Sequence, residues 1–187
     1  YLLIILFLSS SIVAQDGGRS AFSFVNIDYS ARSESMGGNL IAIFDDDVSL
    51  SQKTPSLLNP NMHNEITFTF GDYFSDIKLL SCSYAREVQK IGVIGITIQS
   101  ISYGHFSRND AAGYYQGDFS AHDHILTFGI GKSIFSKISL GVNFSILNSN
   151  YDMYNSFALS SNISSTYYND SKRFTTTLLF KNIGRQL

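Results

Sequence analysis

From residue 138 to residue 146 the chain reads Ile-Ser-Leu-Gly-Val-Asn-Phe-Ser-Ile, large apolar and small polar residues alternating without a miss or a charge. Period two predicts a strand with Ile138, Leu140, Val142, Phe144 and Ile146 on one face. The other face carries Ser139, Gly141, Asn143 and Ser145. The water-facing side of a soluble sheet is usually rich in Lys and Glu. Ser, Gly and Asn instead suit the interior of a membrane barrel, with the apolar side turned to lipid.

The pattern recurs. Ile66, Phe68 and Phe70 alternate with Thr67, Thr69 and Gly71, and Leu126, Phe128 and Ile130 with Thr127, Gly129 and Gly131. Further strands are predicted over 77–85 and 91–103, around Phe157, Leu159 and Ile163, and around Phe174, Thr176, Leu178 and Phe180. Between them are predicted a charged turn at 86–90, a long polar loop over 104–119, a tight turn at 135–137 and a loop near 148–155. Tyr and Phe collect at strand ends (Tyr73, Phe74, Tyr103, Tyr114, Tyr115, Tyr151, Tyr154, Tyr167, Tyr168), where an interfacial aromatic girdle would place them.

Residues 15–64 are different, with Gly pairs, an Asp run and both prolines, Pro55 and Pro60. One or two helical turns are predicted over 30–36, stopped by Gly37-Gly38, then a short strand over 39–44. Asp45, Asp46 and Asp47 offer N-caps for a helix from Val48, a reading preferred to a Ca²⁺ site because the spacing is not that of an EF-hand loop. This segment is expected to be a plug beside or inside a barrel mouth.

Upstream, Leu2–Leu8 is apolar but too short to span a bilayer as a helix, and Ile12-Val13-Ala14-Gln15 supplies a small residue for cleavage. Residues 1–14 are therefore expected to be a signal peptide with a truncated start, and residues 65–187 the N-terminal half of a barrel. Seven strands are visible where single-chain bacterial barrels have even numbers from eight upward.

Composition narrows the classes. Charged residues are 15% of the chain and the net charge is −2, which leaves no basic footprint for nucleic acid. No 18-residue apolar run occurs, so any membrane crossing must be by strands. Cys82 is alone, which excludes an internal disulfide, and it reads as a packing residue. His122 and His124 share a strand face without a third metal ligand in view. No nucleophile elbow, zinc-binding helix motif or phosphate loop is present. Three Asn-x-Ser sequons, at Asn143, Asn162 and Asn169, fall in Ser/Asn-rich strands that generate them by chance. No catalytic, cofactor or metal site is expected.

The ordered set Gly17-Gly18, Ser30-Ala31-Arg32, Met36-Gly37-Gly38 and Asp45-Asp46-Asp47, followed by Tyr103-Gly104, Phe106, Gly117-Asp118-Phe119 and Phe180–Leu187, resembles the PorQ family. These are outer-membrane proteins of the type IX secretion system of Bacteroidetes-type bacteria, related to PorV and the FadL-like barrels. Ile27-Asp28-Tyr29 stands where the family favours a Leu-Pro pair, and the Asn-Pro expected after the Asp run is displaced toward Pro55–Pro60.

The resemblance implies an all-β, FadL-like transmembrane barrel with an N-terminal plug bearing Arg32, Gly37, Gly38 and the three Asp residues. It implies a non-enzymatic part in anchoring the cell-surface cargo attachment complex, with a PorZ-like surface protein, PorU and PorV as partners and outer-membrane lipid as surroundings. Tyr103, Phe106, Tyr114, Tyr115, Asp118 and Phe119, in or beside the predicted loop, are the candidate partner contacts. The alternatives are a FadL-like transporter of hydrophobic molecules and a secreted soluble β-sandwich adhesin.

Overall fold

The alternating segments fold as seven strands in a single antiparallel sheet of sequential order. The computed structural model describes residues 22–169, 171 and 173–187. The expected signal peptide and residues 15–21 lie outside the described residues. The strands are β1 (Glu65–Asp72), β2 (Lys78–Val88), β3 (Gly92–Asn109), β4 (Tyr115–Phe135), β5 (Ile138–Tyr151), β6 (Tyr154–Asn169) and β7 (Phe174–Gln186). The sheet is open, with β1 and β7 at its edges.

Several connections are shorter than the composition predicts. The loop predicted over 104–119 is mostly strand: β3 runs to Asn109, β4 starts at Tyr115, and only 110–114 turn. Polar residues there read as loop, yet a two-stranded ribbon that meets water on both faces needs no apolar side. Two register shifts, after Ser102 and Arg108, coincide with Gly104 (φ 81°) and Gly117 (φ 111°), glycine conformations that accommodate bulges. The predicted loop near 148–155 reduces to Asp152-Met153 between paired strands. Arg86 and Glu87, predicted as turn, pair with Ile94 and Val93. Residues 39–44 form no strand.

The N-terminal segment is a string of single turns. Helix α1 (Ala31–Ser35) is capped by the Ser30 hydroxyl, which accepts from the Ser33 N–H at 3.3 Å. Gly37 and Gly38 end it in the left-handed conformation, the Gly38 N–H reaching the Ser33 carbonyl at 2.8 Å. Helix α2 (Val48–Ser51) is capped by Asp47, and Pro55 and Pro60 each open a 3₁₀ turn.

This segment lies on one face of the sheet and is held by it. Val48, Leu58 and Met62 cluster with Ala85 and Val93, and Phe24 and Tyr29 with Ile101, Ile125 and Leu147. The Ser56 N–H donates to the Ser164 hydroxyl at 2.8 Å, and the Ser56 and Thr166 hydroxyls pair at 2.7 Å. Gly141 makes the closest approach possible: a β-carbon there would lie 2.3 Å from the Pro55 carbonyl carbon.

Candidate functional site

Strand parity sorts every side chain onto one of two unlike faces. On the plug side, Ser139 and Thr166 are 0% exposed and Asn143 2%. Several of the small polar groups on this side find partners, whereas the Ser139 hydroxyl is buried with none: Thr97 donates to Ser83 at 3.0 Å, Thr127 pairs with Ser145 at 2.8 Å, and Asn143 bonds Gln52 and the Asn162 N–H. On the opposite face Val142 is 47% exposed, Phe144 45%, Phe68 66% and Leu178 62%. The protein buries its hydroxyls and presents its large apolar groups, reversing the order of a soluble sheet.

The exposed groups form one belt. Register aligns Phe68, Cys82, Ile98, Leu126, Ile146 and Leu159 in one row, which ends on Arg185 of β7, and Ile94, Ile130, Val142, Ile163 and Phe180 in another, which begins on Arg86 of β2. All five residues expected to face lipid, Ile138, Leu140, Val142, Phe144 and Ile146, lie on this side of β5. From Ile138 to Ile146 is nine residues, the length of strand, about 9–11 residues, that crosses a hydrocarbon layer. Polar side chains bound the belt on both sides, Lys78 and Arg86 on β2, His124 and Lys132 on β4. Aromatics crowd one margin (Tyr73, Tyr154) and Phe135 and Phe174 the other, all more than half exposed.

The plug motif is a clip. Arg32 bonds Asp45 at 2.5 Å and Asp47 at 3.3 Å. Both contacts raise the guanidinium's affinity for its proton, the hydrogen bond to Asp45 most. Asp47 also accepts from the Ser49 N–H at 2.9 Å, and Asp46 from Asn61 at 3.1 Å. Each of the three carboxylates therefore has a structural partner, and among the described residues no three His, Cys, Asp or Glu side chains are grouped for a metal ion. Gly37 and Gly38 contribute their φ rather than any contact. Asp28 joins the clip through Ser33 and through Lys53 at 3.2 Å. Burial would raise its pKa, yet Ser33, Lys53 and the Ser30 N–H together hold it below the usual carboxylate value.

The partner-contact candidates lie on the β3–β4 ribbon, which outruns its neighbours: β2 reaches β3 only as far as Ser102, and β5 reaches β4 only as far as Ala121. Phe106 and Phe119 stack across it with ring centroids 5.4 Å apart. Tyr114 is in the turn at its tip, beside Tyr115 and within a few residues of Asp118. Tyr103 sits apart at the ribbon's base and donates its hydroxyl to Asp123 at 2.6 Å. Arg108 pairs with Asp152 of the β5–β6 turn, which braces the ribbon sideways.

Pattern reading passes over Asp123. It is 1% exposed on the plug side of β4 and also accepts from Ser149 at 2.5 Å and Tyr151 at 3.3 Å. The Tyr29 hydroxyl, held protonated by burial and by the nearby Asp123 charge, is buried with no partner. The signal was available: Asp123 is an acid at an inward position in a strand otherwise lined by Ala, Ile, Thr and Gly. His122 and His124 lie on the opposite face, and Cys82 sits in the belt.

Comparison with known protein families, with curated proteins and with solved structures finds no match for this chain.

Proposed function

We propose that this chain is part of an outer-membrane β-barrel whose belt faces lipid and whose lumen is filled by the N-terminal plug, and that it serves as a non-enzymatic membrane base for the type IX cargo attachment complex. The observation that carries the membrane reading is the reversed polarity of the two faces. Large apolar groups at half exposure across seven strands cost little in hydrocarbon and much in water. The secretion role rests on the resemblance to the PorQ family. The projecting ribbon, with its exposed aromatic tip on a rigid sheet, is the favoured contact for a PorZ-like surface partner.

A transporter of hydrophobic molecules is the second reading, favoured by one observation. A mostly apolar cavity of about 490 Å³ lies between the plug and β1–β3, lined by Ile27, Tyr29, Ile77, Leu79 and Ile101. The β-sandwich adhesin has less in its favour, since the polar face is covered by the plug and among the described residues no second sheet covers the apolar one.

A deletion strain with a tagged copy added back tests the proposal. Deletion should leave type IX cargo periplasmic or unattached, and the tagged copy should capture a PorZ-like protein. Normal cargo display with loss of uptake of a hydrophobic nutrient would transfer the role to the transporter.

A further inference from the structure

The two ends of the sheet carry opposite charge. Among the described residues the short-turn end has Arg86, Lys90, Lys132, Lys137 and Arg173 against Glu65 and Glu87. The ribbon end has five Asp residues (72, 76, 110, 118, 152) against Lys78, Arg108 and Arg185. None of the five cations at the short-turn end is in an ion pair with a described carboxylate.

At this cationic end the belt is dented. Ser165, outward-facing on β6, stands in a row between Leu140 and Leu178, where a small side chain leaves a hollow. The hollow is part of a groove of about 430 Å³ walled by Ile130, Leu140, Val142, Ile163, Leu178 and Phe180, with almost wholly apolar walls. It reaches Lys132 and Ile91 at the turn end. The Lys132 ammonium donates to the Lys90 carbonyl at 2.6 Å, which keeps it at the turn and leaves its other protons for an anion.

We propose that the groove is a binding site for one anionic phospholipid, an acyl chain lying over Ser165 and the phosphate meeting Lys132 and Lys90. An apolar trough continuous with the belt selects a chain, and a cationic rim without an ion pair among the described residues selects a negative headgroup. The inference rests on the membrane reading and goes beyond it, because a belt alone has no preference among lipids.

The test inserts the full-length protein into vesicles of phosphatidylethanolamine and phosphatidylglycerol, extracts it in mild detergent and counts retained lipid by native mass spectrometry. The wild type should retain phosphatidylglycerol in preference. Lys132→Gln and Lys90→Gln should each weaken retention about fivefold, the effect of about 1 kcal/mol per surface cation. Ser165→Phe fills the hollow and should abolish retention with both cations intact, its far-UV circular dichroism unchanged. Equal retention of the two lipids, or undiminished retention by Ser165→Phe, overturns the site while leaving the membrane reading standing. A full-length wild-type protein that stays out of the vesicles overturns both.

Discussion

The two faces of the sheet share one backbone and one alternation, yet they solve opposite problems. The plug face carries Ser, Thr, Asn and Gly between two apolar patches, Ile101, Ile125 and Leu147 in one and Ala85 and Val93 in the other, and these are covered: Thr127 is 3% exposed and Ser164 3%. Their hydroxyls and amides bind one another and the carbonyls of Gln52 and Lys53. Across β4 to β6 the far face has almost no hydrogen-bonding side chain in its middle rows, only Ile, Leu, Val, Phe and the occasional Ser, while Tyr84 and Arg86 on β2 and Arg185 on β7 are its polar members toward the sheet edges. A side chain's burial in the folded chain therefore says nothing by itself about its hydrophobicity. What decides is which medium each face meets, and the apolar face is suited to a medium that cannot hydrogen-bond.

The contrast can be broken from either side. The largest effect should come from a charge on the belt: Val142→Arg, if midplane, costs about 2–4 kcal/mol of membrane stability. The matched control needs an inward position with room. Asn143 is unsuitable, because it is sealed against Gln52 and Asn162. Thr69, which lines the cavity beneath β1–β3, has space. Thr69→Arg should leave urea-unfolding midpoints in vesicles nearly unchanged while Val142→Arg lowers them.

Gly141→Ala attacks the plug seat instead. Its β-carbon has no room against Pro55, and the backbone shift should cost about 1–3 kcal/mol, read as a lower unfolding midpoint in detergent. Asp47→Ala removes a helix cap and one contact of the Arg32 clip. We expect about 1 kcal/mol, the usual loss on removing an N-cap, seen as faster proteolysis of residues 22–64 with the strands intact. The smallest effect is pH-dependent. The Asp28 pKa is depressed in the folded chain, so its contribution is full above the unfolded value of 3.8 and fades as pH falls through the folded value. Asp28→Asn should destabilise the plug at neutral pH and converge with wild type in acid.

Strand identity and facing were legible because period two writes both into the sequence. Ile138 to Ile146 needs no tertiary information to be assigned a face. Strand length was not. Beyond the belt the β3–β4 ribbon meets water on both sides, so His105, Ser107 and Asp118 carry no alternation to read. Asp47 as a cap and Gly37-Gly38 as a stop were readable from local chemistry. The pairing of Arg32 with Asp45, thirteen residues away, is tertiary. So is the fit of Pro55 against Gly141, and no local pattern announces either one.

The central claim is that the exposed face of this sheet meets lipid. Spin labels placed singly at Val142, Phe128 and Thr69, in a Cys82→Ser background and in lipid vesicles, test it most directly. Labels at Val142 and Phe128 should collide freely with oxygen and be shielded from a water-soluble nickel chelate, and the label at Thr69 should not share that profile. A label at Val142 as open to the nickel chelate as an aqueous loop would contradict the account.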